Sequence, residues 1–134
     1  MRIRAYLRVV SDEATAHAIQ EETAVPEASI RKTKAPIEGT NDKVWWNWGT
    51  TTVPIDTDNP DEGLKSLLAA HRHIFPILKK YRDQGAAIYL EMVTEYAEGE
   101  DARGLWLSAE TIQLMNELGC DFDNDVVPLV CKES

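Results

Sequence analysis

Two stretches of the chain alternate strictly along their length, a pattern typical of β-strands with one buried face. In residues 2–10 one face carries only apolar side chains, and the other carries Arg2, Arg4, Tyr6 and Arg8. In residues 86–97 one face has Ile88, Leu90 and Met92, and the other has Tyr89, Glu91, Val93 and Glu95. Each stretch therefore predicts a strand that buries one face and presents the other.

Tryptophan is concentrated in residues 43–49, which contain three of the four tryptophans of the chain. Trp and Val suit the pleated, half-buried surface of a sheet, so this segment predicts a central strand. Alternation along a strand directs Trp46 and Trp48 towards the core, together with Val44. The same alternation directs Trp45 and Asn47 to the opposite face.

Apolar residues at spacings of three and four follow Pro60 and continue to Gly85, which is the pattern of a long amphipathic helix. Proline suits the first turn of a helix, and Asn59 or Asp58 can cap it. Pro76 lies inside the pattern, so we expect it to kink or break the helix.

Shorter elements fill the rest of the chain. One helix is predicted from a Ser11 cap to about Glu22, and another from a Ser108 cap to Gly119, which suits a left-handed C-cap. Pro54 lacks an amide proton and is expected to end the tryptophan strand. Further strands are predicted at residues 28–33, 105–107 and 120–127.

This order of elements predicts a single α+β domain that spans residues 1–134. Strand, helix, strand, strand, helix and strand is the ferredoxin-like split βαβ plan, an antiparallel sheet with helices on one face. A strand–helix–strand extension follows at the C-terminus. In that plan the first strand lies between the strand at residues 86–97 and the tryptophan strand. The other sheet face is either open or covered by the C-terminal helix.

Charge and composition narrow the class of protein. The net charge of −9 disfavours a nucleic-acid partner, because binding to phosphates requires clustered basic residues. The basic-Gly-aromatic signature of RNA-recognition motifs is also missing at Lys43-Val44. No apolar run is long enough for a signal peptide or a membrane span. We therefore expect a cytoplasmic protein with reduced thiols at Cys120 and Cys131, and no membrane or nucleic-acid partner.

The open sheet face is the candidate binding surface. Its residues combine aromatic, amide and charged side chains, namely Arg4, Tyr6, Arg8, Trp45, Asn47, Tyr89 and Glu91. No H-E-x-x-H, C-x-x-C, G-x-S-x-G or Gly-rich phosphate motif occurs. The sequence therefore nominates no catalytic residue and no cofactor, and an enzyme is the less favoured interpretation.

Asp121, Asp123 and Asp125 alternate along the last predicted strand and match the first three acidic positions of a calcium loop. The match then fails, because Val126 stands where the loop requires Gly and Lys132 stands where it requires Glu. Solvated carboxylates are the favoured interpretation, and a metal site on these three residues is the alternative.

Several segments together resemble a family of small bacterial proteins known only as a domain of unknown function. They are Arg31-Lys32, the Trp-rich strand, the long helix, and Leu118-Gly119 followed by Asp121-Phe122-Asp123. Members usually continue with an apolar residue and an aromatic, where this chain has Asn124 and Asp125. The resemblance implies the fold and no activity. It also suggests a comparison with small acidic immunity proteins.

We therefore expect a protein-interaction module whose acidic surface holds a basic protein partner, with an immunity-type protein as one form of it. The alternative is a small-molecule-binding domain or enzyme that uses the open sheet face. Self-association through the edge of the strand at residues 28–33 is a third hypothesis, so the chain is expected to be a monomer or a homodimer.

Overall fold

The computed structural model describes residues 1–33, 44–100 and 104–129. In this part the chain forms one six-stranded sheet and four α-helices. The strands are β1 (Arg2–Ser11), β2 (Ser29–Lys32), β3 (Trp46–Gly49), β4 (Val53–Ile55), β5 (Ala87–Tyr96) and β6 (Asp121–Pro128). The helices are α1 (Glu13–Thr23), α2 (Pro60–Ala70), α3 (Phe75–Asp83) and α4 (Ala109–Leu118).

β1 lies at the centre of the sheet, between β3 and β5, as the sequence predicts. It is antiparallel to both, with Val9 opposite Trp48 and Leu7 opposite Leu90. β2 forms one edge beside β3. β6 forms the other edge and runs parallel to β5, because helix α4 connects the two. The sheet is thus larger than the predicted plan.

The tryptophan strand does not end at Pro54. β3 is interrupted at residues 50–52, and the chain pairs again with β1 as β4, with Pro54 opposite Arg4. Within the interruption the Leu7 amide donates to the Thr50 hydroxyl at 3.0 Å, so the ladder stays satisfied. Proline is tolerated here because β4 has β1 as its one strand partner in the described part of the chain.

All four helices contribute to one core with the apolar face of the sheet. The fully buried side chains include Leu7, Ile19, Trp48, Leu64, Leu78, Leu90 and Leu118. The C-terminal helix α4 packs beside α2 and α3, on the same side of the sheet. Among the described residues the opposite face is therefore uncovered, and the C-terminal helix does not lie on it, which resolves the alternative that the sequence left open. In the described residues no helix has the length and apolar character needed to cross a bilayer.

The long helix is broken close to Pro76, as predicted. α2 ends at Ala70, and a 3-10 turn precedes α3, which has Pro76 in its first turn. One helix cap departs from prediction. Asp12, not Ser11, caps α1, and its carboxylate accepts from the Thr15 amide at 2.7 Å. As predicted, Asn59 caps the N-terminus of α2 and Ser108 caps that of α4. Gly119 is the left-handed C-cap of α4, also as predicted.

Two further predictions are wrong. Residues 105–107 form no strand and lead as an extended segment into the Ser108 cap. Val44 is 39% exposed, because β3 begins only at Trp46 and the alternation does not reach Val44. Trp48 is fully buried and Trp46 is half-buried against the core, as predicted. Lys43 and Cys131 lie outside the described residues.

Candidate functional site: a cleft on the uncovered sheet face

Strand alternation gathers the polar side chains of three neighbouring strands on the uncovered face. Tyr6 of β1 lies opposite Glu91 of β5, and Arg8 lies opposite Tyr89. In the parallel pair, Glu91 lies opposite Asp123 of β6. Tyr6, Arg8, Glu91 and Asp123 help to line a cleft of about 730 Å³, and every described residue that lines it belongs to a strand or an adjoining loop. The sheet itself therefore forms the floor of the site.

Arg8 occupies the middle of this floor and is held from three sides. Its guanidinium donates to the Asn47 side-chain oxygen at 3.2 Å and lies 4.5 Å from the centre of the Tyr89 ring. Its Nη2 atom is 3.5 Å from a carboxylate oxygen of Asp123 and 3.6 Å from Glu91 Oε2. The buried Nε atom has no hydrogen-bond partner in the described part of the protein. Arg8 is thus well positioned but incompletely bonded.

Glu91 is the most perturbed group in the cleft. The residue is only 4% exposed, and its Oε2 atom has no hydrogen-bond partner among the described residues. Burial, followed by the neighbouring Asp125 and Asp123, raises the pKa of Glu91 from 4.5 to about 8, against the opposing effect of Arg8. At neutral pH the Glu91 carboxyl therefore holds a proton, which it could donate to a bound group.

Glu91, Asp123 and Asp125 form a compact group, which we call the carboxylate cluster. One carboxylate oxygen from each lies within 4.8 Å of the others. The cluster replaces the trio that the sequence suggests for a metal. Asp121 lies outside it because its register partner is Tyr89, one step along the face from Glu91. Among the described residues, the cluster is the group that could hold a metal ion.

Tyr6 and Arg4 border the cluster on β1. Burial raises the pKa of the Tyr6 hydroxyl, and the charge of Glu91 adds to the effect. Tyr6 is therefore a neutral donor and acceptor in the cleft. Arg4 forms an ion pair with Glu95, which also accepts from Arg2 at 2.9 Å. The guanidiniums of Arg4 and Arg2 thus share the single carboxylate of Glu95.

The far end of the cleft is basic. Arg31 and Lys32 of the edge strand β2 line it, both are exposed, and neither forms an ion pair with another described residue. Four inter-strand spacings separate β2 from β6, or about 19 Å. The cleft therefore has a basic end and an acidic end on opposite sides of Arg8.

The structure brings together six of the seven residues proposed for the open face, namely Arg4, Tyr6, Arg8, Asn47, Tyr89 and Glu91. Trp45 is the exception. It precedes β3 and lines a groove with Ser11, Thr15 and Tyr81, at the junction of α1 and α3. The alternation rule misplaced Trp45 because β3 begins at Trp46, one residue after it.

Sequence reasoning did not assign four charged cleft residues to this face, namely Arg31, Lys32, Asp123 and Asp125. The available signal was the strand–helix–strand order at the C-terminus, which places the last strand parallel to β5. Once that pairing is known, the alternating aspartates must share a face with Glu91 or oppose it. The register of the pair, which decides between them, depends on helix packing.

Comparison with known proteins identifies a family. No curated protein and no solved structure matches the chain. The family described as Domain of unknown function (DUF4279) matches residues 1–129. The resemblance to a family of unknown function is therefore confirmed at the level of the family. Since the match covers nearly the whole sequence, this chain belongs to the DUF4279 family.

Proposed function

We propose that the protein is a binding domain that holds a small polar ligand in the cleft of the uncovered sheet face. The observation that carries this proposal is the pair of buried, unbonded atoms in the cleft floor, Arg8 Nε and Glu91 Oε2. Buried polar atoms are normally hydrogen-bonded, and exceptions in a concave site mark places where a ligand supplies the missing bonds. This is the small-molecule alternative of the sequence analysis.

The chemistry of the floor favours a ligand with an oxygen acceptor close to a donor group. Arg8 offers a guanidinium donor to the acceptor, and Glu91 offers a carboxyl that can accept or, when protonated, donate. A carboxamide, a sugar hydroxyl pair or a nucleobase edge has this arrangement. The perturbed pKa of Glu91 supports the same site, because shifted carboxyls concentrate at functional positions.

Amide NMR on the full chain tests the proposal. Separate titrations with L-glutamine, glucose, citrate and adenine should reveal at least one probe that shifts resonances of β1, β5 and β6 in a saturable manner. Substitution Arg8→Gln should abolish those shifts, and Arg72→Gln is the matched control. Arg72 pairs with Glu117 on the helical side of the molecule, at 3.0 Å. Absence of saturable shifts with every probe, or equal loss in the control, would contradict the proposal.

A second candidate is binding of a basic protein partner, the role first expected from the net charge. The observation that favours it is the edge strand β6, which pairs only with β5 in the described part of the chain and exposes Asp121. A partner strand with alternating Lys residues could add to this edge. An immunity role would be one form of such binding. A Lys-Val repeat peptide should slow amide exchange in β6, whereas unchanged exchange would count against this role.

The ferredoxin-like description of the fold also belongs among our proposals. The antiparallel order of β5, β1, β3 and β2 supports it, since these strands follow the spatial order of that plan. β4 and β6 would then be additions to it. An experimental structure of the chain without β6 would test this description. The order β5, β1, β3 and β2 should persist in it, and a different order would contradict the description.

A further inference from the structure

We propose that Glu91, Asp123 and Asp125 form a binding site for a hard divalent cation, Ca²⁺ or Mg²⁺, at the acidic end of the cleft. The site goes beyond the proposed polar ligand and does not depend on it, because the cation would contact the carboxylate cluster alone. It also differs from the metal trio suggested by the sequence, since Glu91 takes the place of Asp121.

The spacing of the three carboxylates suits a single ion. Their oxygens lie within 4.8 Å of one another. Oxygens on opposite sides of a bound Ca²⁺ are about 4.6–5.2 Å apart, since each Ca²⁺–O distance is about 2.3–2.6 Å. The three side chains can therefore reach one ion from their present strands. Glu91 and Asp123 lie directly opposite each other in the parallel β5–β6 pair, which fixes their separation.

A second observation points to a missing ligand. Glu91 is only 4% exposed, and its Oε2 atom has no hydrogen-bond partner among the described residues. The Arg8 Nη2 atom approaches this oxygen only to 3.6 Å and the Asp123 carboxylate only to 3.5 Å. Hydrogen bonds of this type are shorter, at about 2.7–2.9 Å. Because Asn47 and Tyr89 hold Arg8, its guanidinium cannot simply close the gap.

The charges of the cluster are also incompletely balanced. Three carboxylates face one guanidinium, which leaves two negative charges when all three are ionised. A divalent cation would cancel this excess.

The ligand set favours a hard ion over a softer one. All three ligands are carboxylates, and neither His nor Cys joins the cluster in the described chain. Carboxylate oxygens suit Ca²⁺ and Mg²⁺, whereas Zn²⁺ and Cu²⁺ favour nitrogen and sulfur. Asp125 is exposed, so water can complete the coordination from the solvent side.

Isothermal titration calorimetry of the full chain with CaCl₂ or MgCl₂ at pH 7 tests the site, at constant ionic strength set by KCl. We expect one saturable event. In Asp123→Asn, Asp125→Asn and Glu91→Gln the affinity should fall by at least about tenfold.

Asp121→Asn is the matched control, because Asp121 is an exposed aspartate on the same face of the same strand, outside the cluster. It should retain the wild-type affinity. A dissociation constant weaker than about 1 mM for both ions would overturn the proposal. Equal weakening by Asp121→Asn would also overturn it, since it would indicate diffuse attraction to an acidic surface. Circular dichroism confirms that each variant folds, and the polar-probe titrations contain no divalent cation, so either proposal can fail alone.

Discussion

The two faces of the sheet are built from the same strands but differ in chemistry, since one is apolar and buried and the other is charged and uncovered in the described part of the chain. On the helical face, β1 and β5 present mainly apolar residues, which pack around the fully buried Trp48. On the uncovered face, the alternate residues of the same strands form a charged floor centred on Arg8 and Glu91. One residue along a strand thus separates a satisfied core from a site with unbonded buried atoms.

The difference identifies where stability and function reside. The helical face stabilises the fold, since burial of apolar surface contributes about 25 cal/mol per Å². The uncovered face concentrates like charges and leaves polar atoms unbonded, both of which cost free energy. Proteins retain such features mainly at sites where a ligand or an ion compensates for them.

Truncation of the central tryptophan should give the largest effect. Trp48 is fully buried, and its indole donates to the Gln20 side chain at 2.8 Å. Trp48→Ala should lower the free energy of unfolding by about 3–5 kcal/mol, measured by urea denaturation. Trp106 is 69% exposed, so Trp106→Ala should change it by no more than about 0.5 kcal/mol. Similar losses in both variants would contradict the assignment of the core.

Removal of the Arg8 guanidinium should give the second-largest loss in the free energy of unfolding. Arg8→Met leaves Glu91 and Asp123 without the nearby guanidinium, so we expect a loss of about 2–3 kcal/mol at pH 8.5. The loss should be smaller at pH 6, where Glu91 is protonated. A loss that does not change between these pH values would show that Arg8 acts through packing and not through charge.

Neutralisation of Glu91 should raise the free energy of unfolding at high pH, whereas the two changes above lower it. Its folded-state pKa of about 8 exceeds the ordinary value of 4.5, so the folded protein binds this proton more tightly than the unfolded chain does. Wild-type stability should therefore fall as the pH rises from 4.5 to about 8. Glu91→Gln should be more stable than the wild type by at least about 1 kcal/mol at pH 8.5, with a gain that shrinks towards pH 5. A loss of stability at pH 8.5 would contradict the assignment.

The smallest effect is expected at the rim of the uncovered face. The Arg2 side chain is 68% exposed and donates to Glu95 at 2.9 Å. Exposed ion pairs contribute little, so Arg2→Ala should lower the free energy of unfolding by less than about 1 kcal/mol. A thermal melt at low and high salt should show that even this effect weakens as salt is added.

Much of this contrast was predictable because strand alternation is a local property. Arg8 and Glu91 were assigned to one face, and Leu7 and Leu90 to the other, from the period of two alone. Capping chemistry is local as well, which is why Asn59, Ser108 and Gly119 were assigned correctly.

The parts that could not be predicted depend on contacts between distant segments. The carboxylate cluster exists because β6 pairs with β5 in one particular register, and helix packing sets that register. Trp45 was misplaced because the start of β3 depends on its pairing with Ser11 of β1. Pro54 did not end the strand because the Thr50 hydroxyl satisfies the ladder across the interruption.

The central claim is that the uncovered face contains a buried, proton-holding carboxyl prepared for a ligand or an ion. Carbon-13 NMR titration of the Glu91 side chain, assigned by comparison with Glu91→Gln, tests it most directly. The account predicts a midpoint near pH 8 that falls in Asp123→Asn, because the neighbouring negative charge of Asp123 is removed. A midpoint near the ordinary 4.5 would contradict it, since Glu91 would then be a solvated surface carboxylate.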